Sequence, residues 1–370
     1  MCNLLMDSGG TSTRRASSSG RRWGLCRRSN RRILIFRKVS CTSVVRLYAA
    51  RDSVKIHHDL GELAKLRAPV YLAIGVFDGV HLGHQALLRA ACEDAAGLDR
   101  DTALSVAMTF DPPPTRVLRP KSPPPLLTSL AHKIQRFGSQ QVKAALVQHF
   151  DLKFAAIPPR AFLHQLHDTL GGQLREICVG HNFRFGHNRA GDAELIFKLG
   201  GALGFAVKVI QPIKIGDEIV SSTAVRRAIA KGDLEIANAM LGRSHAVFGK
   251  VGRGSGRGAH LGFPTANVTG MEEMLPPNGV YAVNAFIGRQ SLAGERVKGV
   301  ANLGVRPTFE ASATAPVLEI HLFDFDDKIY GEPIAIEFIQ KIRDERKFAS
   351  ATELKSQIER DIAKARAEFR

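Results

Sequence analysis

Two different patterns of apolar and polar positions divide the chain. Between residues 54 and 243, short apolar runs alternate with segments of helical spacing. Almost wholly apolar strands that alternate with helices are typical of a parallel sheet covered on both faces, so we expect an α/β domain over residues 54–243. Its predicted strands are 70–77, 103–110, 142–150, 174–179 and 205–210, and its predicted helices include 84–96, 162–170 and 193–203.

After residue 243 the chain has strand-length apolar runs separated by Gly, Pro and Asn turns. This spacing is typical of an antiparallel barrel or sandwich, so we expect a β domain over residues 244–370. One helix should close the chain, because Ser350 and Glu353 have the spacing of a capping box ahead of an apolar stripe. The predicted strands are 246–251, 280–287, 297–303, 317–323 and 334–339, and the stripe is Leu354, Ile358, Ile362, Ala365 and Phe369.

A proline-rich segment interrupts the α/β pattern. Residues 112–125 contain seven prolines, and proline lacks the backbone N–H that helices and sheets use. We therefore expect no regular structure in this segment. Because it follows a predicted strand, we interpret it as a loop over a ligand crevice at the carboxyl end of the sheet.

The net charge of +17 raises the question of nucleic-acid binding. Most of it comes from a leader of residues 1–53, in which residues 1–51 hold eleven Arg, one Lys and one Asp. Three interpretations stay open: a targeting peptide, sequence ahead of the true start codon, or an RNA-binding arm. We expect a disordered leader and a cytoplasmic location, with an organellar location as the alternative.

Composition excludes several classes of protein. No apolar run approaches the length of a membrane span. The five cysteines form no CxxC pairs, which excludes a disulfide framework and a zinc-finger array, and we interpret Cys92 and Cys178 as core thiols. A helix-turn-helix over residues 221–241 is the nucleic-acid alternative, but the positive charge is not concentrated there.

The first motif with chemical content is GVFDGVHLGH, residues 75–84. It places His81 and His84 at the start of a predicted helix, where free backbone N–H groups and the helix dipole favour phosphate. The two imidazoles can donate hydrogen bonds to oxygens that gain charge during displacement at phosphorus. Gly83 allows close approach of a nucleotide. In isolation the motif is also typical of a turn with two surface histidines.

The second motif is VSSTAVRR, residues 220–227, which opens another predicted helix. Ser222 and Thr223 are good N-cap and phosphate-binding residues, and Arg226 follows one turn later. Alone this pattern is usually only a helix cap. Paired with the first motif, it can bring hydroxyls and a guanidinium to the leaving pyrophosphate of ATP.

Together these motifs resemble the nucleotidyltransferase superfamily, and VGHNFRFGHNRAGD (179–192) resembles its FMN adenylyltransferase branch. The second half resembles the riboflavin kinase family in LGFPTANV (261–268), PPNGVYAV (276–283), GVANLGVRPTF (299–309), LEIHLFDFDDKIYG (318–331) and IRDERKF (342–348). The chain is thus similar to the prokaryotic-type bifunctional riboflavin kinase/FMN adenylyltransferases, or FAD synthetases, over residues 54–362. The resemblance implies a Rossmann-like nucleotidyltransferase domain, and a Greek-key barrel with a terminal helix.

For the kinase half, phosphoryl transfer needs a phosphate cradle, a divalent metal and a proton acceptor. Residues 249–262 contain six glycines, enough backbone N–H groups to surround phosphates. Thr265 and Asn267 follow as neutral oxygen donors that suit Mg²⁺, although both residues are also typical of a turn after Pro264. Glu319 lies in an apolar strand, either facing inward with a function or outward by simple alternation. The resemblance implies that it is the catalytic base.

The resemblance also implies small-molecule substrates (riboflavin, FMN and ATP), with Mg²⁺ as cofactor and with neither nucleic acid nor membrane as partner. It leaves the oligomeric state open. Pro113 stands where relatives commonly have histidine in FDPHP, so the alternative is a riboflavin kinase with an impaired adenylyltransferase domain. The implied catalytic residues are His81, His84, Arg226 and Glu319. The implied binding residues are Gly75, Phe77, Asp78, Gly83, Asn182, Ser222, Thr223, Gly252, Gly254 and Gly258 for ATP, Phe183, Phe185 and Arg343 for flavin, and Thr265 and Asn267 for metal.

Overall fold

The structure, a computed structural model, describes residues 54–99, 101–254, 258, 261–288, 295–306 and 315–369. The predicted leader of residues 1–53 lies outside these residues, and so does part of the glycine-rich segment 249–262. None of the helices in the described part of the chain combines the length and the apolarity needed to cross a membrane.

The sheet half of the molecule, β1 to α9, is built on a six-stranded sheet whose neighbouring strands are all parallel. Its strands are β1 (Lys55–His57), β2 (Val70–Ile74), β3 (Leu104–Asp111), β4 (Ala144–His149), β5 (Leu174–Gly180) and β8 (Ala206–Ile210). Its helices are α1 (Leu60–Ala64), α2 (Leu82–Asp99), α3 (Pro114–Leu118), α4 (Leu130–Ser139), α5 (Leu152–Ala155), α6 (Pro159–Leu170), α7 (Ala193–Leu203), α8 (Ser222–Lys231) and α9 (Leu234–Leu241). Short pairs are formed by β6 (Arg184–Phe185) with β7 (Gly191–Asp192), and by β9 (Lys214–Ile215) with β10 (Glu218–Ile219).

The two faces of this sheet carry side chains of different size. Leu72, Met108 and Leu146 project from one face into a core shared with α1, α6 and α7. Because successive residues of a strand point to opposite faces, their neighbours Ala73, Ala107 and Ala145 project from the other face, which packs on α2 and α4. The apolar strand runs therefore reflect burial on both sides, as the sequence pattern predicted.

The strand order places a crevice at the centre of the sheet. The order is β1-β4-β3-β2-β5-β8, so the chain leaves β2 toward β3 on one side and later returns to β5 on the other. In open parallel sheets, ligands bind outside the carboxyl ends of the strands at such a reversal. The segments that follow β2 and β5 both end at this crevice.

The proline-rich segment contains a short helix, so the expectation of no regular structure was wrong. Residues 114–118 form α3, with Pro114 in its first turn. Proline is tolerated at this position because the first N–H groups of a helix have no partner within the helix. The predicted strand 70–77 was also too long, because the backbone leaves the sheet after Ile74.

The barrel half, β11 to α10, contains a closed six-stranded antiparallel barrel in the order β11-β12-β15-β14-β13-β16. The neighbours β16-β13-β14-β15 have the order of a Greek key. The strands are β11 (His245–Gly252), β12 (Ala266–Thr269), β13 (Gly279–Ile287), β14 (Glu295–Arg306), β15 (Ala315–Leu322) and β16 (Pro333–Arg343). The five predicted strands are all present, and β12 is the additional one.

The predicted closing helix is α10 (Ala351–Ala367). Its cap is confirmed: the Ser350 hydroxyl accepts a hydrogen bond from the Glu353 N–H at 3.2 Å. The predicted apolar stripe is only partly right, because Gln357 and Asp361 are buried along with Ala365. Gln357 accepts a hydrogen bond from Arg346 at 2.9 Å, and Asp361 binds Arg343, as described below.

Candidate active sites

The loop from β2 to α2, together with the first three residues of α2, is called the β2 turn here (residues 75–84). It has three successive points of left-handed backbone, with φ of +53° at Phe77, +89° at Gly79 and +39° at Val80. Such values are unfavourable for a branched residue such as Val80 and occur where the surroundings hold the backbone in place. Phe77 is fully buried and its ring contacts the ring of Phe137 on α4, which holds the β2 turn against that helix.

His81 and His84 lie together at the end of the β2 turn, as the motif predicted. Their rings stack with centroids 3.7 Å apart and an interplanar angle of 18°. Burial lowers the pKa of His81 to about 4 and holds the pKa of His84 well below its ordinary value. The positive charge of Arg243 lowers both pKa values further, and that of Lys133 lowers the pKa of His84. Both imidazoles are therefore neutral at pH 7, and a neutral imidazole donates one hydrogen bond. The pair can stabilise an anion as hydrogen-bond donors, not as cations.

Glycines keep this turn compact. A β-carbon on Gly75 would lie 3.2 Å from the Phe77 ring, and one on Gly83 would lie 3.2 Å from the His81 ring. Larger side chains at either position would push the neighbouring ring away from its place.

Helix α8 begins beside the β2 turn, although the two motifs are far apart in sequence. The Ser222 hydroxyl donates a hydrogen bond to the Asp78 carbonyl at 2.7 Å. The N-cap is Ser221, whose side chain accepts from the Ala224 N–H, and not Ser222 or Thr223 as predicted. Ser222 is directed to the turn and Thr223 is exposed in the first turn of the helix. The structure thus brings both motifs to one place.

Arg226 and Asp78 are partners of each other. The Asp78 carboxylate is buried, pairs with the Arg226 guanidinium and accepts hydrogen bonds from the backbone N–H groups of Leu127 and Thr128 at 2.9 and 3.0 Å. Arg226 also donates to the Pro125 carbonyl at 2.8 Å. These contacts connect the β2 turn, α8 and the end of the proline-rich segment.

The segment after β5 reaches the same crevice with Asn182, which is exposed. The two nearby aromatic residues are packed differently. Phe185 is buried against Phe162, and Phe183 stacks on Phe185 with centroids 5.5 Å apart. These rings belong to the core cluster below the sheet edge, so their flavin-binding role stays a prediction.

Lys133 was missed by the sequence analysis. It lies on α4 with only 3% of its surface exposed, and its ammonium donates to the Val76 carbonyl at 2.8 Å and to the Thr109 hydroxyl at 3.2 Å. The available signal was its position four residues before Phe137 on the same helix face. Helix 130–139 was not predicted, so this spacing was not used.

In the barrel half, Asn267 and Glu319 are register partners on the neighbouring strands β12 and β15. Leu318 and Ile320 are buried in the barrel core, so Glu319 projects from the opposite, outer face. The inward-facing interpretation of Glu319 was therefore wrong. The outer face is nevertheless the functional candidate, because alternation places Asn267 there too.

The glycine-rich segment folds back onto these residues where the structure describes it. A β-carbon on Gly254 would overlap the Asn267 carboxamide, and one on Gly258 would lie 3.0 Å from the Thr265 hydroxyl. Only glycine allows so close an approach. Gly252, which pairs with Asn267 across β11 and β12, completes the connection between the loop and the outer face.

A cleft of about 200 Å³ opens beside Thr265. Thr265 lines this cleft, whereas Asn267 and Glu319 do not line it and offer their carboxamide and carboxylate from the outer face of β12 and β15. Oxygen donors of this kind fit Mg²⁺. The cleft also contains residues that the sequence analysis did not single out: Phe325, Asp326, Asp327, Lys328 and Tyr330.

Arg343 has a structural partner. Its guanidinium makes hydrogen bonds of 2.8 to 3.1 Å to the buried Asp361 carboxylate of α10, and it also donates to the Asp344 carbonyl at 2.8 Å. This bidentate pair fixes the last strand of the barrel to the last helix. Its predicted flavin-binding role stays a prediction.

Comparison with protein families assigns a known family to each half. A family profile described as FAD synthetase matches residues 64–224, and one described as riboflavin kinase matches residues 241–369. The two matches follow each other along the chain and contain the residues of both sites described above except Arg226, which lies between the two matched ranges.

Proteins described as bifunctional riboflavin kinase/FMN adenylyltransferases match over most of their length. The Haemophilus influenzae protein is 37% identical over 80% of this chain and 94% of its own. The Escherichia coli K12 protein is 39% identical over 80% and 92%, and the Bacillus subtilis protein is 36% identical over 85% and 96%. A solved Streptococcus pneumoniae structure, described as a macrolide-efflux protein, is 28% identical with a TM-score of 0.70 over 80% of this chain and 92% of that one.

Proposed function

Because the chain belongs to the bifunctional riboflavin kinase/FMN adenylyltransferase family, we propose that two separate sites carry its two reactions. The enzyme phosphorylates riboflavin with ATP to give FMN, and it transfers AMP from a second ATP to FMN, which gives FAD and pyrophosphate. ATP is the co-substrate of both steps. We place the boundary between the domains at residues 243 and 244, where α9 has ended and β11 begins.

For the kinase step, Glu319 accepts the proton of the riboflavin 5′-hydroxyl as that oxygen attacks the γ-phosphorus of ATP. The bond from this phosphorus to the β,γ-bridging oxygen breaks, and ADP leaves. The observation that supports this role is the carboxylate's place opposite Asn267 on the outer face of the barrel. Gly252, Gly254 and Gly258 surround the phosphates. Thr265 and Asn267 would hold Mg²⁺, which neutralises phosphate charge when bound.

For the adenylyl step, an FMN phosphate oxygen attacks the α-phosphorus of ATP and the bond to the bridging oxygen of pyrophosphate breaks. The stacked pair of neutral imidazoles carries this proposal, because His81 and His84 can donate hydrogen bonds to oxygens whose negative charge increases. Thr223 and Asn182 lie exposed at the same crevice and bind ATP. No covalent enzyme intermediate is needed.

Asp78, Arg226 and Ser222 serve this site mainly by holding it together. Asp78 fixes Arg226 and the Leu127–Thr128 backbone, and Ser222 fixes the carbonyl of Asp78. Positioning of this kind matters because a misplaced donor loses most of its effect on a transition state. The backbone N–H groups at the start of α8 remain near the turn to receive the leaving pyrophosphate.

Product analysis of single variants tests the division of labour. In the His84→Ala variant, riboflavin and ATP should give FMN that accumulates without FAD. In the Glu319→Gln variant, FMN formation should stop while supplied FMN is still converted to FAD. We expect losses of at least about a hundredfold in the affected step, measured by chromatography of the flavins.

Two exposed residues provide matched controls, His164→Ala on α6 and Glu359→Gln on α10. Both control variants should make FMN and FAD at the unaltered rate. Loss of the same step in His84→Ala and Glu319→Gln would contradict the assignment of two sites.

The relatives argue against a chain that has kept only the kinase. The FAD synthetase profile covers the β2 turn and the start of α8, and the curated relatives are described as bifunctional. Pro113 is the N-cap residue of α3, and FAD formation from supplied FMN measures whether it lowers the adenylyl rate. The relatives are bacterial, which supports the cytoplasmic location that the sequence predicted.

A further inference from the structure

Lys133 is a buried cation next to the adenylyl site, and the mechanism above does not use it. Its ammonium makes two hydrogen bonds, to the Val76 carbonyl and the Thr109 hydroxyl, at 2.8 and 3.2 Å. Both acceptors are neutral. An ammonium has three N–H groups, and the described residues provide no further hydrogen bond and no ion pair within 4 Å for Lys133.

The charged and titratable groups around Lys133 come from three elements. Asp78 in the β2 turn and Asp111 at the end of β3 act on it at longer range, and His84 lies on the α2 side. Asp78 is already paired with Arg226, and Asp111 is exposed. No described carboxylate therefore neutralises the ammonium directly.

A buried cation without a close counter-ion is unfavourable unless something else compensates its charge. The position of Lys133 indicates which group compensates its charge. Val76 immediately precedes the left-handed Phe77 of the β2 turn, and Thr109 lies near the carboxyl end of the neighbouring strand β3. The ammonium thus lies under the crevice at which the anionic substrates of adenylyl transfer meet.

We propose that Lys133 is a positioning residue of adenylyl transfer, which fixes the β2 turn through the Val76 carbonyl and holds a positive charge beneath the bound triphosphate. This inference rests on the proposed function of the β2 turn. Through Lys133, helix α4 would then position the adenylyl site in addition to packing on the sheet.

A purely structural role makes a different prediction from a charged one. Burial lowers the pKa of Lys133 to about 8, so its positive charge is present at pH 7 and is lost as the pH rises through 8. A bound triphosphate favours the charged form and raises that pKa. Binding at pH 8.5 should therefore be accompanied by proton uptake, whereas a lysine that only fills space takes up none.

Calorimetry on the full chain tests this with α,β-methylene-ATP and Mg²⁺ as the probe. Titrations at pH 8.5 in two buffers of different ionisation enthalpy give the number of protons taken up. The phosphates of the analogue are fully ionised at this pH, so we expect an uptake of about half a proton in the wild type. The Lys133→Arg variant, whose side chain stays charged, should bind the analogue without this uptake. Equal proton uptake by both proteins would overturn the inference.

Steady-state rates provide the second measurement. In the Lys133→Met variant, kcat/KM for ATP in the conversion of FMN to FAD should fall at least about tenfold at pH 7. In the wild type we expect kcat/KM to decline above pH 8, as Lys133 loses its charge, and this decline should be absent in Lys133→Met. Formation of FMN from riboflavin should not change, and Lys153→Met, at an exposed position of α5, should match the wild type throughout.

The outcomes separate this inference from the proposed function. An adenylyl rate within twofold of wild type in Lys133→Met overturns the role of Lys133. If Lys133→Met fails to fold, the comparison of wild type with Lys133→Arg still decides. If His84→Ala retains full FAD formation, the proposed function fails irrespective of Lys133. Loss of FAD formation in His84→Ala with unaltered Lys133 variants contradicts only the inference about Lys133.

Discussion

At the scale of single residues, the adenylyl site depends on groups that are buried in their neutral form. His81 has 6% of its surface exposed, and burial is the largest cause of its low pKa and of that of His84. Two cationic imidazoles in van der Waals contact would repel each other. Neutrality therefore allows them to stack, and it leaves one N–H on each ring for a ligand.

Buried neutral histidines should make the fold sensitive to acid. The folded-state pKa values of His81 and His245 are each about 4, below the unfolded value of 6.5, so the unfolded chain binds protons first as the pH falls. Their contribution to stability is complete above pH 6.5 and is lost progressively toward pH 4. At pH 5 each should lower the free energy of unfolding by about 2 kcal/mol.

Urea unfolding followed by circular dichroism at pH 7.5, 6 and 5 measures this effect. The midpoint should fall steadily over that range, and the His245→Gln variant should show a smaller fall than the wild type. A midpoint that does not change between pH 7.5 and 5 would contradict the neutral, buried state of these histidines.

The residue scale also shows where sequence reasoning stops. His81 and His84 were identified because their spacing and the preceding strand are local features. Lys133 was not, because a lone lysine on a helix is usually exposed and only the tertiary structure buries it. The left-handed backbone of Phe77 and Val80 is likewise set by packing, since neither residue type favours it.

At the scale of elements, α8 supplies one wall of the adenylyl site through its first turn. Ser221 caps the helix and Ser222 connects it to the β2 turn. Adjacent serines thus have different tasks, one stabilising the helix end and the other holding the helix against the turn. The exposed Thr223 next to them is the residue whose hydroxyl we propose binds ATP.

Removal of the Ser222 hydroxyl should affect only one of the two activities. In the Ser222→Ala variant the Asp78 carbonyl loses its donor, so the contact between α8 and the β2 turn weakens. We expect conversion of FMN to FAD to slow about tenfold, with no change in FMN formation. Initial rates of both steps measure this, and Ser356→Ala on the exposed face of α10 is the control. Equal slowing of both steps would indicate general destabilisation instead.

Most of the long strands and helices were predictable, and among the elements that were not, which include α4, strand β12 and helix α3 show the reasons. Long apolar runs such as 142–150 gave strands close to the observed bounds, because burial on both faces leaves a strong pattern. Strand β12 has only four residues, too few for the pattern to separate it from a turn. Helix α3 was not predicted because its one proline, Pro114, occupies the first helical position, where proline is tolerated.

At the scale of the whole molecule, the barrel half contacts the sheet half directly behind the β2 turn. Glu273, which precedes β13, is buried and accepts hydrogen bonds from the N–H of Ser129 at the start of α4 and from the N–H of Phe248 in β11, both at 3.1 Å. Arg243, which directly precedes the domain boundary and leads into β11, donates to the Gly79 carbonyl at 2.7 Å. The kinase half thus helps to hold the helix that carries Lys133.

Loss of the Glu273 carboxylate in the barrel half should therefore lower the adenylyl activity of the sheet half. The Glu273→Ala variant leaves two buried N–H groups without their acceptor, which should cost about 1–3 kcal/mol for each group. We expect FAD formation to decline more than FMN formation, together with a lower urea midpoint. The neighbouring and exposed Glu272 offers the matched control, Glu272→Ala, which should behave as wild type. A greater decline in FMN formation would argue against this coupling.

The separation of the two reactions is tested most directly by mixing two variants, each of which should lack one of the two activities. His84→Ala retains the barrel site and Glu319→Gln retains the crevice of the sheet, so neither variant alone should convert riboflavin and ATP to FAD. An equimolar mixture should form FAD after a lag, because FMN released by the first variant reaches the second. If the mixture forms no FAD, or if either variant forms it alone, the two reactions do not belong to two independent sites with these residues.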